Sequence, residues 1–255
     1  MEKLKFDEML NAGVHFGHLK RKWNSAMAPY VFEERKGIHI IDLNKTVVKA
    51  EEAGAALKQI AKSGRKILFV ATKKQAKSIV SEKVGETNMP FVTERWPGGM
   101  LTNFKTTRKT IRKMTSIEKM MQDGTANHLS KRERLQRSRQ KDKLAGVFGA
   151  VADMTRLPAA LFIVDVKKEA IAVAEAVKLG IPVFAMVDTN SDPKPIDFVI
   201  PANDDASKSI ELVIDYVCGS IKEGLAERKA GKEKATEEKA VASKEVKEEV
   251  TTENK

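Results

Sequence analysis

The sequence has little of what several protein classes require. It contains one cysteine, Cys218, in 255 residues, which excludes an internal disulfide framework and fits a reducing compartment. The stretch around Cys218 is apolar, so we expect a buried structural thiol rather than a nucleophile. No run of about 18 apolar residues occurs, and the charged N-terminus lacks the apolar core of a signal peptide. We therefore expect a cytoplasmic protein that does not enter membranes.

Fingerprints of catalysis and nucleotide binding are also missing. No G-x-G-x-x-G and no G-x-x-x-x-G-K-[ST] follows an apolar run. The four histidines and one cysteine do not form a recognisable Ser-His-Asp or Cys-His set. His15 and His18, spaced i and i+3, could ligate a metal if they were helical, but no cysteine or third histidine lies near them, so no zinc site is expected. The sequence predicts neither an enzyme nor a cofactor, metal or small-molecule substrate.

Positive charge is what the sequence has in excess. Lys and Arg number 46 against 35 Asp and Glu, while aromatic residues make up only 5%. Residues 105–148 hold thirteen basic and four acidic residues, and so nine of the net eleven positive charges. Charge concentrated in one segment is the electrostatic footprint of a nucleic-acid-binding surface, whereas solubilising charge would be spread out. A solvated helical arm or a protein-binding coiled coil remains the alternative.

Apolar runs alternate with amphipathic stretches from residue 38 onward. This pattern predicts a doubly wound, mainly parallel α/β sheet of the flavodoxin or Rossmann type. Asn44 is placed to cap the first crossover helix and Gly64 to end it. The predicted strands are 38–43, 66–72, 90–93, 160–166, 183–188 and 198–201.

Residues 105–148 interrupt this alternation because they contain no strand-like run. Ile111, Met114, Ile117 and Met121 recur every three or four residues, as on one face of a helix. Asp123, Gly124 and Asn127 are turn residues, after which a second, more basic helix is predicted. We expect an inserted α-helical, coiled-coil hairpin with helices about 30 Å long. The predicted organisation is an N-terminal arm and helix at 1–37, a discontinuous α/β domain at 38–104 and 149–228, the hairpin at 105–148 and a disordered Lys/Glu/Ala-rich tail at 229–255.

The candidate RNA-binding residues are basic side chains of the hairpin and of a cluster near the N-terminus. Trp23 follows the N-terminal cluster, and it either stacks on an exposed base or packs on the domain, which we favour. The candidates are Lys20, Arg21, Lys22, Arg108, Lys109, Arg112, Lys113, Lys131, Arg132, Arg134, Arg137 and Arg139.

Two further places carry alternatives. In "RWPGGMLTNF", residues 95–104, Gly98 and Gly99 let the chain leave the sheet while Trp96 packs at the base of the hairpin as a hinge. The other possibility is that the glycine backbone approaches an RNA phosphate. Asp188, Asp204 and Asp205 cap helices and form turns, which we favour, or converge on a divalent cation.

Five motifs, in order, resemble the family of bacterial small-subunit ribosomal protein S-two. They are "FDEMLNAGVHFGH", "FVATKKQA", "RWPGGMLTNF", "PAALFIVDVKKEAIAVAEAVKLGIP" and "VDTNSDP". The resemblance covers residues 4–228. Pro97 stands where leucine is common in the family, and Ala71 where glycine is common.

This resemblance implies a flavodoxin-like domain with an inserted helical hairpin, bound to ribosomal RNA near the junction of the head and body of the small subunit. It implies no catalysis. It also implies contact with neighbouring small-subunit proteins and, in many members, docking of ribosomal protein S-one. The alternative drawn from the fold alone is an α/β protein that binds a nucleotide or sugar phosphate at the strand ends.

Overall fold

A computed structural model describes the backbone of residues 4–123 and 128–252, with side chains up to residue 231. Gly124 and Asn127, two of the three predicted turn residues, lie outside the described residues. The helices are α1 (Phe6–Ala12), α2 (Leu43–Lys62), α3 (Lys74–Gly85), α4 (Phe104–Gln122), α5 (Lys131–Phe148), α6 (Ala170–Leu179) and α7 (Ser207–Thr252). The strands are β1 (Phe16–Leu19), β2 (Val31–Arg35), β3 (Ile38–Ile41), β4 (Ile67–Val70), β5 (Phe91–Val92), β6 (Ala160–Val164), β7 (Val183–Val187) and β8 (Phe198–Pro201).

Five strands form a parallel sheet in the order β5-β4-β6-β7-β8. Every residue of β4, β6 and β7 is buried, because helices cover both faces of the sheet. On one face Phe69 and Phe162 pack with residues of α2, α3 and α7. On the other face Leu68 and Leu161 pack with α6 and the base of the α4–α5 hairpin. The predicted doubly wound α/β fold is confirmed.

The strand at 38–41 does not belong to this sheet. It is the central strand of a separate antiparallel sheet with the order β1-β3-β2. The expectation that it would be the first strand of the parallel sheet is wrong. The turn between β2 and β3 explains the difference, because Lys36 and Gly37 both have positive φ, 51° and 76°. Such a two-residue turn folds β3 back onto the strand before it.

The N-cap of helix α2 lies two residues before the predicted cap. The carboxylate of Asp42 accepts a 3.0 Å hydrogen bond from the backbone N–H of Asn44, so Asp42 caps the helix and Asn44 lies inside it. The capping prediction for Asn44 is therefore wrong. Gly64 does lie just beyond the end of α2, with a φ of +78° that favours glycine.

Helix α7 has two contrasting parts. Its first half includes Ile210, Val217 and Ile221, which are fully buried. Cys218 is buried among them, and this burial raises the pKa of its thiol to about 12. The expectation of a buried structural thiol is thus confirmed. The backbone of this helix continues to Thr252, through the tail for which the sequence favours disorder and allows a transient helix, and the disordered tail stays a prediction. Lys, Glu and Ala are strong helix formers, a local preference that counting apolar residues leaves out.

Candidate nucleic-acid interface

The basic hairpin is anchored at its base and polar along its length. Helix α4 buries Ile111, Met114 and Ile117, the stripe that its periodicity predicts. Helix α5 buries only Phe148, at its last position. The start of α5 is fixed by a capping box, in which Ser130 and Glu133 bond each other's backbone N–H groups. The α5 helix therefore presents most of its length to solvent.

Most of the candidate RNA-binding side chains of the hairpin are exposed. On α4, Lys105, Lys109, Arg112 and Lys119 follow one another at intervals of four, three and seven residues, which forms a ridge about 20 Å long opposite the buried stripe. The exposed candidates, none of which forms an ion pair with another described residue, are Lys109, Arg112, Lys113, Lys131, Arg132, Arg134, Arg137 and Arg139. The hairpin thus exposes positive charge, and the candidate side chains form no direct ion pairs within the described part of the chain.

Arg108 differs from the other candidates. Its side chain is half-buried, and its Nη1 donates a 2.9 Å hydrogen bond to the backbone carbonyl of Met154. Met154 follows the short 3₁₀ helix Gly149–Val151, at the point where the chain leaves the hairpin. Arg108 therefore ties the two ends of the hairpin together, a structural role that charge alone does not reveal.

The N-terminal basic cluster forms a single 3₁₀ turn, Lys20–Lys22, and all three side chains are exposed. Lys20 forms a 2.7 Å ion pair with Glu34 on the neighbouring strand β2. Arg21 and Lys22 form no ion pair with any described residue, although Lys22 lies near enough to Asp205 to help lower the pKa of that carboxyl.

The turn at residues 95–104 wraps around one carboxylate, that of Glu175 on α6. Glu175 Oε1 accepts hydrogen bonds from the backbone N–H of Gly99 at 2.7 Å and the indole Nε1 of Trp96 at 3.2 Å. Glu175 Oε2 accepts from the backbone N–H groups of Leu101 at 2.9 Å and Thr102 at 3.0 Å. Burial favours a raised pKa for Glu175, but these hydrogen bonds outweigh it and lower the pKa. The carboxylate is therefore held ionised.

This arrangement decides between the two interpretations of Gly98 and Gly99, a turn that lets the chain leave the sheet and a backbone that approaches an RNA phosphate. The amides that an RNA phosphate would need point at the chain's own carboxylate, so we infer an internal anion site rather than a phosphate loop. Only Gly99 has a positive φ, +85°, whereas Gly98 is exposed, and a Cβ added to it would have no atom within 4 Å. Trp96 is buried in the same apolar cluster as Met114 and Phe148 of the hairpin base.

A second polar cluster lies at the carboxyl ends of the parallel strands. Lys73, just before α3, contacts Asp204 and Asp205 at 2.7 Å and Asp165 at 3.5 Å. Burial alone would lower the pKa of Lys73, but these carboxylates outweigh it and raise the pKa. Burial, with Asp188 and Asp165 nearby, raises the pKa of Asp204 to about 7. One oxygen of Asp204 is buried without a hydrogen-bond partner.

His18 joins this cluster from strand β1. Its Nδ1 lies 2.8 Å from Asp188 and its Nε2 lies 3.3 Å from Asp205. The hydrogen bond to Asp188 is the main cause that raises the pKa of His18. Ligand atoms of His18, Asp188, Asp204 and Asp205 all lie within 4.8 Å of one another and could hold a divalent cation. Convergence of the three aspartates on a cation is one of the alternatives that the sequence suggests. His18 was not part of that alternative, because 170 residues separate it from Asp188.

Of the interpretation favoured for the three aspartates, the turn is present and the capping is wrong. The carbonyl of Asp188 accepts a 3.1 Å hydrogen bond from the N–H of Ser191 in a turn. The residue that bonds the N–H groups of Asp205 and Ala206 ahead of α7 is Asn203, so Asp204 and Asp205 do not serve as the expected caps. His15 and His18 do not share a helical face. His15 lies against the Phe16 ring at 4.0 Å, and its Nδ1 is buried without a hydrogen-bond partner.

The chain is similar to ribosomal proteins of one family. The family model described as Ribosomal protein S2 matches residues 9–224. The small ribosomal subunit protein uS2 of Phocaeicola vulgatus is 66% identical over 232 residues, which cover 91% of this chain and 83% of that protein. The protein of the same name from Bacteroides fragilis is also 66% identical, over 91% of this chain and 84% of its own length. That of Porphyromonas gingivalis is 64% identical, over 91% and 83%.

None of the helices among the described residues combines the length and the apolar character needed to cross a membrane.

Proposed function

This chain belongs to the ribosomal protein S2 family, and from that membership we propose that its helical hairpin and its Lys20–Lys22 turn bind small-subunit ribosomal RNA. As a member of the family it is a structural constituent of the small subunit of the bacterial cytoplasmic ribosome, and it is not an enzyme. It acts in translation together with ribosomal RNA and other ribosomal proteins.

The observation that carries the RNA-binding proposal is the exposed, unpaired positive charge of the hairpin. Basic side chains line the solvent face of α4 and most of α5, and none of the eight exposed candidates forms a direct ion pair with a described neighbour. Side chains of this kind displace the counterions of a phosphate backbone, which is the main source of sequence-independent affinity for nucleic acid. A protein-binding coiled coil would instead need an apolar seam on its outer face.

Charge reversal tests the proposal. The variant K109E/R112E/R134E/R137E reverses four exposed charges without touching Arg108, whose hydrogen bond to Met154 supports the fold. The matched control, K74E/K167E/K178E/K194E, reverses four exposed lysines of the α/β domain that form no ion pair with a described residue. We expect the hairpin variant to lose co-sedimentation with small-subunit particles and the control to keep it. Equal co-sedimentation of the hairpin variant and the unaltered chain would sink the proposal.

The salt dependence supplies a second measurement on the same variants. Each phosphate contact adds about 0.7 to 0.9 to the slope of log affinity against log salt concentration. The hairpin variant should show a slope shallower by about 3, whereas the control should keep the slope of the unaltered chain. A hairpin that binds protein would leave this slope unchanged.

The sequence resemblance implies contact with neighbouring proteins and, in many members, docking of ribosomal protein S-one. A candidate docking place lies on the small antiparallel sheet. An open groove of about 760 Å³ is lined there by Phe6, Leu10, Phe16 and Phe32. Phe32 is 70% exposed. Apolar side chains clustered on a surface are typical of protein interaction sites, so we propose this groove as the docking place.

Replacing two of the three groove phenylalanines tests the docking proposal. The variant F16A/F32A should reduce capture of purified ribosomal protein S-one at least tenfold while leaving RNA affinity unchanged. The control V48A removes an apolar side chain that is 54% exposed on α2 and does not line the groove. Equal capture by F16A/F32A and V48A would remove the groove from the proposal.

The nucleotide or sugar-phosphate alternative finds no support at the strand ends. Glu169 accepts hydrogen bonds from the backbone N–H and hydroxyl of Thr72. Lys73 is bound by three aspartates. The groups that would meet a phosphate are therefore engaged by the chain's own carboxylates.

A further inference from the structure

The two tryptophans of the chain have opposite environments. Trp96 is 7% exposed, and its indole Nε1 donates to Glu175. Trp23 is 37% exposed, and its Nε1 donates to no other described residue. Buried tryptophans usually satisfy the indole N–H, as Trp96 does. Trp23 instead leaves part of its ring and its N–H on the surface, beside the basic turn Lys20–Lys22.

Trp23 is held rigidly on both sides along the chain. Its own N–H bonds the carbonyl of Lys20 at 3.2 Å, and the next N–H, that of Asn24, bonds the carbonyl of Thr189 at 2.9 Å. At the other end of the turn, the N–H of Lys20 bonds the carbonyl of Gly37 at 2.9 Å. The backbone that carries the indole is thus fixed to strand ends of both sheets. A fixed ring loses little conformational entropy when it binds.

His39 supports the indole from below. The two ring centroids lie 5.0 Å apart with a tilt of 37°. His39 is 7% exposed, and neither of its ring nitrogens has a hydrogen-bond partner among the described residues. The imidazole ring therefore packs against one part of the indole and leaves the remainder to solvent.

The surroundings indicate what the exposed ring meets. Arg21 and Lys22 immediately precede it, and neither is neutralised by an ion pair with a described residue. An aromatic platform beside unpaired cations is the arrangement by which proteins bind single-stranded nucleic acid, with the base on the ring and the phosphates on the cations. A plain protein-docking surface would not need the cations.

We propose that Trp23 is a stacking platform for an unpaired RNA base, with Arg21 and Lys22 contacting the phosphates on either side of it. The inference rests on the proposed binding of ribosomal RNA and adds a second mode to it. The hairpin contacts phosphates over a rod, whereas Trp23 selects for RNA that is locally unpaired.

Substitutions that leave an apolar side chain at position 23 test the platform, because such a side chain still covers His39. Trp23→Phe retains an aromatic face and Trp23→Leu does not. The full-length chain is titrated with a single-stranded adenosine decamer and with a blunt RNA duplex of about ten base pairs. Base stacking on an aromatic side chain accounts for about a 5- to 150-fold change in affinity. We expect Trp23→Leu to lose that factor for the decamer, Trp23→Phe to lose less than about threefold, and the duplex affinity to stay constant in both.

Fluorescence supplies a second readout, because Trp96 is buried and Trp23 is the exposed fluorophore. The decamer should quench the unaltered chain, and this quenching should be absent in Trp23→Leu. Equal decamer affinity in the unaltered chain and Trp23→Leu, with no quenching, overturns the platform. If the hairpin charge reversal still weakens RNA binding in that case, the proposed function stands alone. If the reversal has no effect but Trp23→Leu does, the platform stands and the hairpin proposal fails.

Discussion

The backbone N–H of Gly99 donates a 2.7 Å hydrogen bond to the carboxylate of Glu175, 76 residues further along the chain. This contact joins the turn that leads into the basic hairpin to a helix of the α/β domain. Four further hydrogen bonds from the same turn reach the same carboxylate. The orientation of the hairpin therefore depends on one buried anion.

Replacing Glu175 with glutamine should lower the free energy of unfolding by about 3 kcal/mol. The amide keeps the shape, but its NH₂ group faces donors that need an acceptor, and hydrogen bonds to a charged group are worth about 1.5 to 3 kcal/mol each. Denaturant unfolding measures the loss. Glu118→Gln, an exposed position on α4, is the matched control and should stay within about 0.5 kcal/mol.

The same pair of chains should differ in pH dependence. The pKa of Glu175 is lowered in the folded protein, so its contribution is fully present above the unfolded pKa of about 4.3 and is lost as pH falls through the folded value. The stability gap between the unaltered chain and Glu175→Gln should be constant from about pH 5 to 7 and close at lower pH. A gap that is independent of pH down to about 3 would show that the carboxylate charge is not what the turn needs.

The two adjacent glycines should respond differently to alanine. Gly99 has a φ of +85°, and an added Cβ would lie 3.3 Å from the Cβ of Asn103. Gly99→Ala should therefore cost about 1 to 2 kcal/mol. Gly98→Ala is the control, since its added Cβ meets nothing within 4 Å, and it should change the free energy of unfolding by less than about 0.5 kcal/mol. Equal costs at the two positions would contradict this account of the turn.

Two arginines one helical turn apart should separate stability from RNA binding. Arg108→Ala removes the hydrogen bond to the Met154 carbonyl and should cost about 1 to 2 kcal/mol of stability. Arg112→Ala removes an exposed charge, so it should leave stability within about 0.5 kcal/mol. It should also reduce the salt slope of RNA binding by about 0.7 to 0.9. Thermal unfolding and RNA titration of both variants measure these two effects. A stability loss in Arg112→Ala without one in Arg108→Ala would refute the assignment.

Lys73→Met should be strongly destabilising at pH 8. It leaves the fully buried Asp204 without its 2.7 Å partner, and an unpaired buried charge costs about 3 to 5 kcal/mol. Since the pKa of Asp204 is already raised to about 7, protonation should make the loss smaller at pH 6 than at pH 8. The double variant K73M/D204N should recover most of the loss, while Lys74→Met at the exposed neighbouring position should show little effect. A loss that is equal at both pH values would contradict the assignment.

Much of the fold follows from local patterns in the sequence. The continuous apolar runs at 66–72, 160–166 and 183–188 predict buried parallel strands, because only strands covered on both faces need such runs. The spacing of Ile111, Met114 and Ile117 predicts the buried stripe of α4, since these positions meet on one face of any helix. The excess of charge at 105–148 is likewise a property of composition. None of these predictions needs to know which distant residues meet.

Only the tertiary structure decided the contacts between distant residues. The β3 strand could pair in either sheet, and the positive φ values of Lys36 and Gly37 assigned it to the antiparallel one. Glu175 reads as an ordinary helix residue until folding brings the amides of the turn at 95–104 onto it. Arg108 counts as one more cation until its guanidinium meets the Met154 carbonyl. Composition and periodicity depend on neighbours in the chain, whereas the partner of a buried charge depends on how the whole chain packs.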